Sequence, residues 1–464
     1  MLRRRLADLE YYVDLSEMLE STGSYGSLLG NMFLVHPHEL DPKGYITTVE
    51  GANIEVIAYR VLAPLKFIPH GGKGFTIYQA VLSALGEAHE RTIPGIRAWQ
   101  PDFYGSVEDL ADVGYEVLGP GELWLFAEEQ YNEGIPFRKF TRDLRIGWVR
   151  AEKLVDGFAS SIKALVPAQL MVMGYSRRIS EPLIAYSSSA GQVCSTSRLK
   201  AIYKGVLEFI ERDAINLGWH SDIPPYRVDI DVKKLENLLG MDLDPRDKNV
   251  RIYVYLWRHD IEGVYVVSVH LVDLTRKMLV YHPGAAAGIS FVEALEGAVA
   301  EVIQSYMFLY SIYEIRNTYG KDLDFYYVDE DADPWQADNL FRIVFYYGWP
   351  RNYIKLHKEF FVSAKPIGME KIDKSYIERW SHRWSLMKSI AVEYPLNPYI
   401  VDLTPTELES HVVYKVFLSN LTQYNAPRYP YFGHPRYYLA KKLLGISDAV
   451  LSYSDLRKVP VPYP

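Results

Sequence analysis

The stretch Ala80-Val-Leu-Ser83-Ala-Leu-Gly-Glu87-Ala-His-Glu90-Arg91 sets two acids three residues apart in a mostly apolar run. Residues at i and i+3 project from one side of an α-helix, so Glu87 and Glu90 share a face. The spacing returns twice. The second copy is Ala201-Ile-Tyr-Lys204-Gly-Val-Leu-Glu208-Phe-Ile-Glu211-Arg212. The third is Ala294-Leu-Glu-Gly297-Ala-Val-Ala-Glu301-Val-Ile-Gln304-Ser305. In each, an alanine stands seven residues before the first Glu and a second polar residue three after it. The apolar neighbours aim these acids at a core or a deep cleft. Buried carboxylates are costly unless cations neutralise them. Several such pairs together would hold Mg²⁺, which takes oxygen ligands and commonly sits on nucleotide phosphates.

Strands alternate with these helices, which points to an α/β fold. Asn53 to Val61 reads as a strand, followed by Gly71-Gly72-Lys73-Gly74 and the first acidic helix. Leu183 to Ser188 reads as a strand, followed by Ala190-Gly191 and the second helix. Val250 to Trp257 and Val264 to Asp273 are β-rich runs joined by Arg258-His-Asp-Ile-Glu-Gly263, a hairpin signal. Tyr281-His-Pro-Gly284 and Gly288 lead into the third helix. Gly74 and Gly288 each stand six residues before their repeat alanine. Each unit therefore reads as strand, Gly-containing turn, helix. Glycine there would let backbone approach a ligand, at a helix N-terminus that favours anions.

Composition narrows the classes. A chain of 464 residues holds one large domain or two to three ordinary ones. Its 48% hydrophobic content can build a core, and a net charge of −8 argues against general nucleic-acid binding. A single cysteine, Cys194, excludes an internal disulfide. Met1-Leu-Arg-Arg-Arg-Leu is followed at once by Asp8 and Glu10, with no apolar h-region. No run of about 18 uncharged apolar residues occurs, so no membrane span is expected. A cytoplasmic protein is the simplest expectation.

Other segments carry weaker signals. The 37 tyrosines read as ordinary core packing, against a peptide-holding groove. Asp322 to Asp338, with seven acids, reads as a solvated loop. Tyr424 to Tyr438 reads as an ordered irregular loop. Val459-Pro460-Val461-Pro462-Tyr463-Pro464 favours a stiff, extended chain. By composition it reads as a frayed terminus, against a tail that inserts its carboxylate into a site.

Together these features resemble the YcaO family. The resemblance rests on Ser83-x-x-x-Glu87-x-x-Glu90-Arg91, Glu208-x-x-Glu211-Arg212 and Glu301-x-x-Gln304, supported by Gly72-Lys73-Gly74. It covers residues 61–464, leaving 1–60 as an N-terminal extension. The tail Pro460-x-Pro462-x-Pro464 is similar to the proline-rich end of the azoline-forming branch. That likeness favours the inserted tail, with Pro460, Pro462 and Pro464 as catalytic candidates.

The resemblance implies a YcaO-like fold with mixed sheets around an ATP/Mg²⁺ cleft. It implies an ATP-dependent cyclodehydratase acting on a ribosomal precursor peptide. A Cys, Ser or Thr side chain attacks the preceding amide carbonyl, the oxygen takes the γ-phosphoryl group, and loss of phosphate leaves a thiazoline or oxazoline. Glu87, Glu90, Glu208, Glu211 and Glu301 would hold Mg²⁺. Lys73, Ser83, Arg91, Arg212 and Gln304 would contact the nucleotide or orient the acids. Implied partners are the precursor peptide, a separate leader-binding E1-like protein, an FMN-dependent azoline dehydrogenase and an oligomeric complex. Two departures stand out. Ser195 and Lys200 occupy places where the second motif often begins with Gly and an acid. Gly297 stands where many members carry Arg, with Lys200 and Arg316 as replacement candidates. Thioamide formation and a peptide-binding scaffold without catalysis remain as alternatives.

Overall fold

The glycine run before the first acidic helix lies in a strand, not in the turn its composition implies. The computed structural model describes residues 29–35, 44–52, 67–97, 100–240, 243, 249–319, 327–405, 410–423 and 428–463. Gly71-Gly72-Lys73-Gly74 ends strand β3 (Phe67–Gly74), and Gly284 and Gly288 lie within β12 (Tyr281–Gly288). Two residues then separate each strand from its helix, α1 (Ile77–Thr92) and α3 (Phe291–Tyr319). The reason is steric. A Cβ on Gly72 would lie 2.2 Å from the Ala80 carbonyl oxygen, and one on Gly284 would lie 2.4 Å from the Val302 amide nitrogen. These glycines bring strand against helix rather than backbone against ligand. Thr76 starts α1 with a capping box, accepting from the Gln79 amide while the Gln79 side chain reaches back.

The second unit departs further from expectation. Leu183 to Ser188 joins no sheet, because side chains take its backbone groups. The Ile184 amide donates to Gln169 Oε1 at 3.0 Å, Tyr431 Oη donates to the Tyr186 carbonyl at 3.2 Å, and Lys415 Nζ donates to the Ser188 carbonyl at 2.5 Å. The strand here is the short β8 (Gln192–Ser195), entered through Gly191 at φ 72°. It leads to α2 (Arg198–His220).

The expected hairpin is present: β10 (Val250–Trp257) and β11 (Tyr265–Asp273) pair antiparallel in full register. The Asn53 to Val61 strand lies outside the described residues. In the Tyr424 to Tyr438 segment, Pro435–Leu443 forms a helix in place of a loop. His434 caps it and proline occupies its first turn, where no amide partner is needed. The acidic segment is irregular over 327–338 apart from a 3₁₀ turn at Pro334–Gln336. Its residues 322–326 lie outside the described set.

Three sheets are present among the described residues. β1 (Leu29–Val35), β2 (Tyr45–Ala52) and β3 form one antiparallel sheet. The second has the order β12-β11-β10-β9-β13, with β9 at Tyr226–Asp229 and β13 at Pro366–Gly368. The third has the order β5-β7-β6-β14-β15-β8 with β4 beside β6. Its strands are β4 (Phe103–Gly105), β5 (Glu116–Val117), β6 (Ile146–Val155), β7 (Ser160–Pro167), β14 (Tyr399–Asp402) and β15 (Val412–Phe417).

Each acidic helix fills the gap between two sheets. α1 packs on β2 and β3 and also on β8 and β15. α2 packs on β8 and β15 and also on β10, β11 and β12. α3 packs on β11 and β12 and also on β2 and β3. Contact with sheets on both sides buries most of α2, including the polar Glu211, Asp213, Asn216 and His220. Glycines again allow the approach: a Cβ on Gly205 would lie 2.5 Å from Val416 Cγ2. Tyrosines serve the core, as Tyr255, Tyr281, Tyr399, Tyr431, Tyr437 and Tyr463 are all fully buried.

The proline tail is fixed over residues 459–463. Trp219 Nε1 donates to the Val459 carbonyl at 2.9 Å, and Tyr281 Oη donates to the Pro462 carbonyl at 3.3 Å. Tyr347 Oη, on the helix α4 (Leu340–Tyr347), donates to the Pro460 carbonyl at 2.7 Å. Tyr463 is 1% exposed, with its hydroxyl 2.6 Å from His270 Nε2 and 2.9 Å from Ser268 Oγ. An extended proline chain makes no internal hydrogen bonds, so its carbonyls are available to these side chains. The frayed reading therefore fails for residues 459–463, while Pro464 lies outside the described residues. Among the described residues, no helix is long and apolar enough to cross a membrane.

Candidate nucleotide and metal site

The arrangement of three helices in three gaps turns the acids of all three toward one another. Glu87 and Glu90 come from α1, Glu208 and Glu211 from α2, and Glu301 from α3. Backbone amides of neighbouring strands hold three of them. The Cys194 amide donates to Glu90 Oε1 at 2.7 Å, the Gly191 amide to Glu208 Oε2 at 3.0 Å, and the Ala285 amide to Glu301 Oε2 at 3.1 Å. Glu208 and Glu301 are thus aimed by the segment just before their own helix, whereas Glu90 of α1 is aimed by β8, the strand before α2.

Electrostatics joins these acids into one network. Burial is the main cause that pushes Glu90 up to about 8; the Cys194 amide opposes it, and Glu87 and Glu208 add to it. Burial likewise pushes Glu211 up to about 8, against Arg212 and with Glu301 and Glu208 adding. Glu208 is raised by burial despite Arg212 and the Gly191 amide. Glu301 behaves oppositely. Burial would raise it, but Lys73, at Nζ–Oε1 2.5 Å, holds it below the usual carboxylate range. Burial alone would lower Lys73, yet Glu301, Glu87 and Glu211 outweigh it and hold the ammonium high.

The other nominated residues fall around this network. Arg212 Nε lies 3.6 Å from Glu211 Oε1, and its charge reaches Glu208 and Glu301. Arg91 acts on Glu90 and Glu208. Ser83 stands one turn before Glu87 on α1, half-buried. Gln304 lies over Gly71, where a Cβ would meet its Nε2 at 2.4 Å. Gly297 is explained by packing, since its Cβ would lie 2.6 Å from Ala286 Cβ. Along the helix axes, at 1.5 Å per residue, Lys200 stands about 12 Å before Glu208 and the Arg316 backbone about 22 Å beyond Glu301. Lys73 pairs with Glu301.

One residue of the network escaped the sequence reading. Lys415, 1% exposed, donates to the Ser188 and Ala190 carbonyls at 2.5 and 2.6 Å. It fixes the turn whose Gly191 amide holds Glu208. Burial pushes it down to about 7, with Glu208 opposing. Its signal in the sequence was a lone charge inside the apolar strand Val412-Val-Tyr-Lys-Val-Phe.

This donor set fits a magnesium nucleotide. It offers oxygens only, as Mg²⁺ requires. Burial, with the neighbouring acids adding, pushes Glu90 and Glu211 up to about 8 even beside the chain's own cations, and a bound cation would offset that cost. A cavity of about 860 Å³, lined by Glu262, Tyr265, Tyr376 and Arg379 among others, includes none of these acids.

A family model described as YcaO cyclodehydratase, ATP- and Mg²⁺-binding, matches residues 71–421, and the chain belongs to the YcaO family. ATP and Mg²⁺ are its cofactors. Solved structures share the fold. A heterocyclase in complex with substrate and cofactor has a TM-score of 0.69 at 17% identity, over 97% of this chain and 57% of that one. The chain thus spans little more than half of that protein. YcaO from Methanopyrus kandleri, bound with AMPPCP and Mg²⁺, has a TM-score of 0.57 at 17% identity, over 93% of this chain and 96% of that one. A chain of the E. coli microcin synthetase McbBCD complex with pro-MccB17 bound gives 0.56 at 14% identity, over 96% and 98%. No curated protein sequence matches the chain.

Proposed function

We propose that this chain is an ATP-dependent peptide cyclodehydratase, converting Cys, Ser or Thr of a ribosomal precursor peptide to thiazoline or oxazoline. The observation that carries the reading is the convergence of five carboxylates from three helices upon Lys73, Arg91 and Arg212. When bound, Mg-ATP supplies the phosphoryl group that makes an amide oxygen a leaving group. The chain's residues do the rest. Glu87, Glu90, Glu208, Glu211 and Glu301 hold the metal. Lys73, Ser83, Arg91, Arg212 and Gln304 position phosphate and acids. Pro460 and Pro462 belong to a tail whose fixed course over residues 459–463 supports a catalytic role for it, with Pro464, outside the described residues, as the third candidate. A heterocyclase complexed with substrate and a microcin synthetase holding its pro-peptide support a peptide substrate and partner proteins. In this reading a separate E1-like protein binds the leader, an FMN-dependent dehydrogenase follows, and the three work as a complex.

Glu87→Gln, Glu208→Gln and Glu301→Gln are each expected to cut ATP turnover roughly 10–100-fold while circular dichroism stays native. Mass spectrometry of a leader-bearing Cys/Ser-rich peptide, incubated with the chain, a leader-binding partner and Mg-ATP, should show loss of one water per ring. Unchanged nucleotide affinity by calorimetry in all three variants would refute the site. A sulfur-for-oxygen mass change in place of water loss would refute the azoline chemistry.

A further inference from the structure

A second convergence of ligand-type side chains lies on the same helix as the first acids, with different donor chemistry. His89 comes from α1, Cys194 from β8, and His411 stands just before β15. One ligand atom from each lies within 4.8 Å of the other two. All three residues are buried, at 6%, 5% and 2% exposure. The imidazole centroids are 4.5 Å apart in a T-shaped arrangement.

Each imidazole has a partner at Nδ1. His89 Nδ1 lies 2.8 Å from the Leu85 carbonyl oxygen, and His411 Nδ1 lies 3.1 Å from Ser410 Oγ. A proton on His89 Nδ1, donated to that carbonyl, leaves the lone pair on Nε2. Metal-binding histidines are oriented in this way, by an outer N–H given to a carbonyl or hydroxyl. Cys194 is held in place by its own amide, which donates to Glu90 Oε1.

We propose that His89, Cys194 and His411 form a zinc-class metal site separate from the carboxylate cleft. Two imidazoles and a thiolate suit Zn²⁺, whereas Mg²⁺ needs oxygen donors. Zn–N bonds of about 2.0–2.1 Å and a Zn–S bond of about 2.3 Å set tetrahedral ligand atoms roughly 3.4–3.6 Å apart. From spacings of at most 4.8 Å, a contraction of no more than about 1.2–1.4 Å closes the cluster. The fourth position falls to water. The thiol proton leaves to solvent as the metal binds, and no oxidant is needed. Such a clasp ties α1 to β8 and β15, and so fixes the helix that presents Glu87 and Glu90. Simple packing of three buried side chains is the competing account.

The full-length chain, produced in zinc-supplemented medium and dialysed without chelator, is assayed by elemental analysis and after exchange with Co²⁺. The expected result is near-stoichiometric zinc, together with a thiolate-to-cobalt charge-transfer band that persists under saturating Mg-ATP. Cys194→Ser and His411→Gln should lower retained zinc by roughly tenfold or more, with thermal melts checking that each is folded. Wild-type protein with negligible zinc and no thiolate band overturns the proposal, whatever the variants do. An identical cobalt spectrum in wild type and Cys194→Ser also overturns it, because the metal then sits on the carboxylates.

Discussion

Glu211 is where loss of the metal should be felt first. Its carboxyl holds a proton in the folded chain to about pH 8, against about 4.5 when unfolded. Between those values the folded state binds more protons than the unfolded one, so stability falls as pH rises. Glutamine cannot ionise. Without divalent ions, the melting temperature of Glu211→Gln minus that of wild type should therefore grow more positive from about pH 5 to about 8. Mg²⁺ with nucleotide should shrink the trend, and a flat difference in calorimetry would contradict it. Glu90 shifts the same way but is common to both proteins, so it cancels. At this scale the sequence was readable where local spacing decides. The i, i+3 acids had to share a face, and they do. Lys415, the Gly191 amide and the Cys194 amide were hidden, because tertiary approach rather than helix period brings them to the acids. Gly297 was read as a departure from the Arg that many members carry, and the closeness of Ala286 leaves no room for a side chain there.

Between strand and helix, glycine decides how close the acids come. A Cβ on Gly72 meets both the Ala80 carbonyl and the Ala84 amide at 2.2 Å, and neither is a flexible side-chain end. Gly72→Ala should cost at least about 1–3 kcal/mol through forced separation of β3 from α1. On the same helix nothing lies within 4 Å of a Cβ on Gly86. Gly86→Ala should therefore gain about 0.5–1 kcal/mol from helix propensity. Urea midpoints check the pair, and equal losses in both would refute the packing account. The acidic helices were legible in outline because apolar period and acid spacing agree. The glycine runs were misread because turns and tight strand–helix packing ask for the same residue. Leu183 to Ser188 was misread because β-propensity does not reveal that side chains will take the ladder's hydrogen bonds.

Across the whole molecule, three sheets and three helices alternate around the acids, and the tail closes the side made by β10, β11 and β12. Tyr463 is its anchor. Tyr463→Ala should cost about 3–5 kcal/mol, as for other large buried rings. Tyr463→Phe should cost about 1–3 kcal/mol, through the lost partner of Ser268 and His270. Denaturant titration checks both, and an unaffected alanine variant would show that the tail is dispensable to the fold. None of this arrangement was readable from the tail's composition, since its partners lie far away in sequence. Tyr463 and Ser268 are 195 residues apart. That separation has a consequence for how the molecule fails. Closing so long a loop comes late in folding, and the docked segment adds no strand to any sheet. Opening it leaves a trough lined by Trp219, Trp257, Tyr281 and Tyr347. The tail of a second copy meets the same groups there, so exchange of tails between neighbours is the natural error of a crowded or heat-stressed preparation.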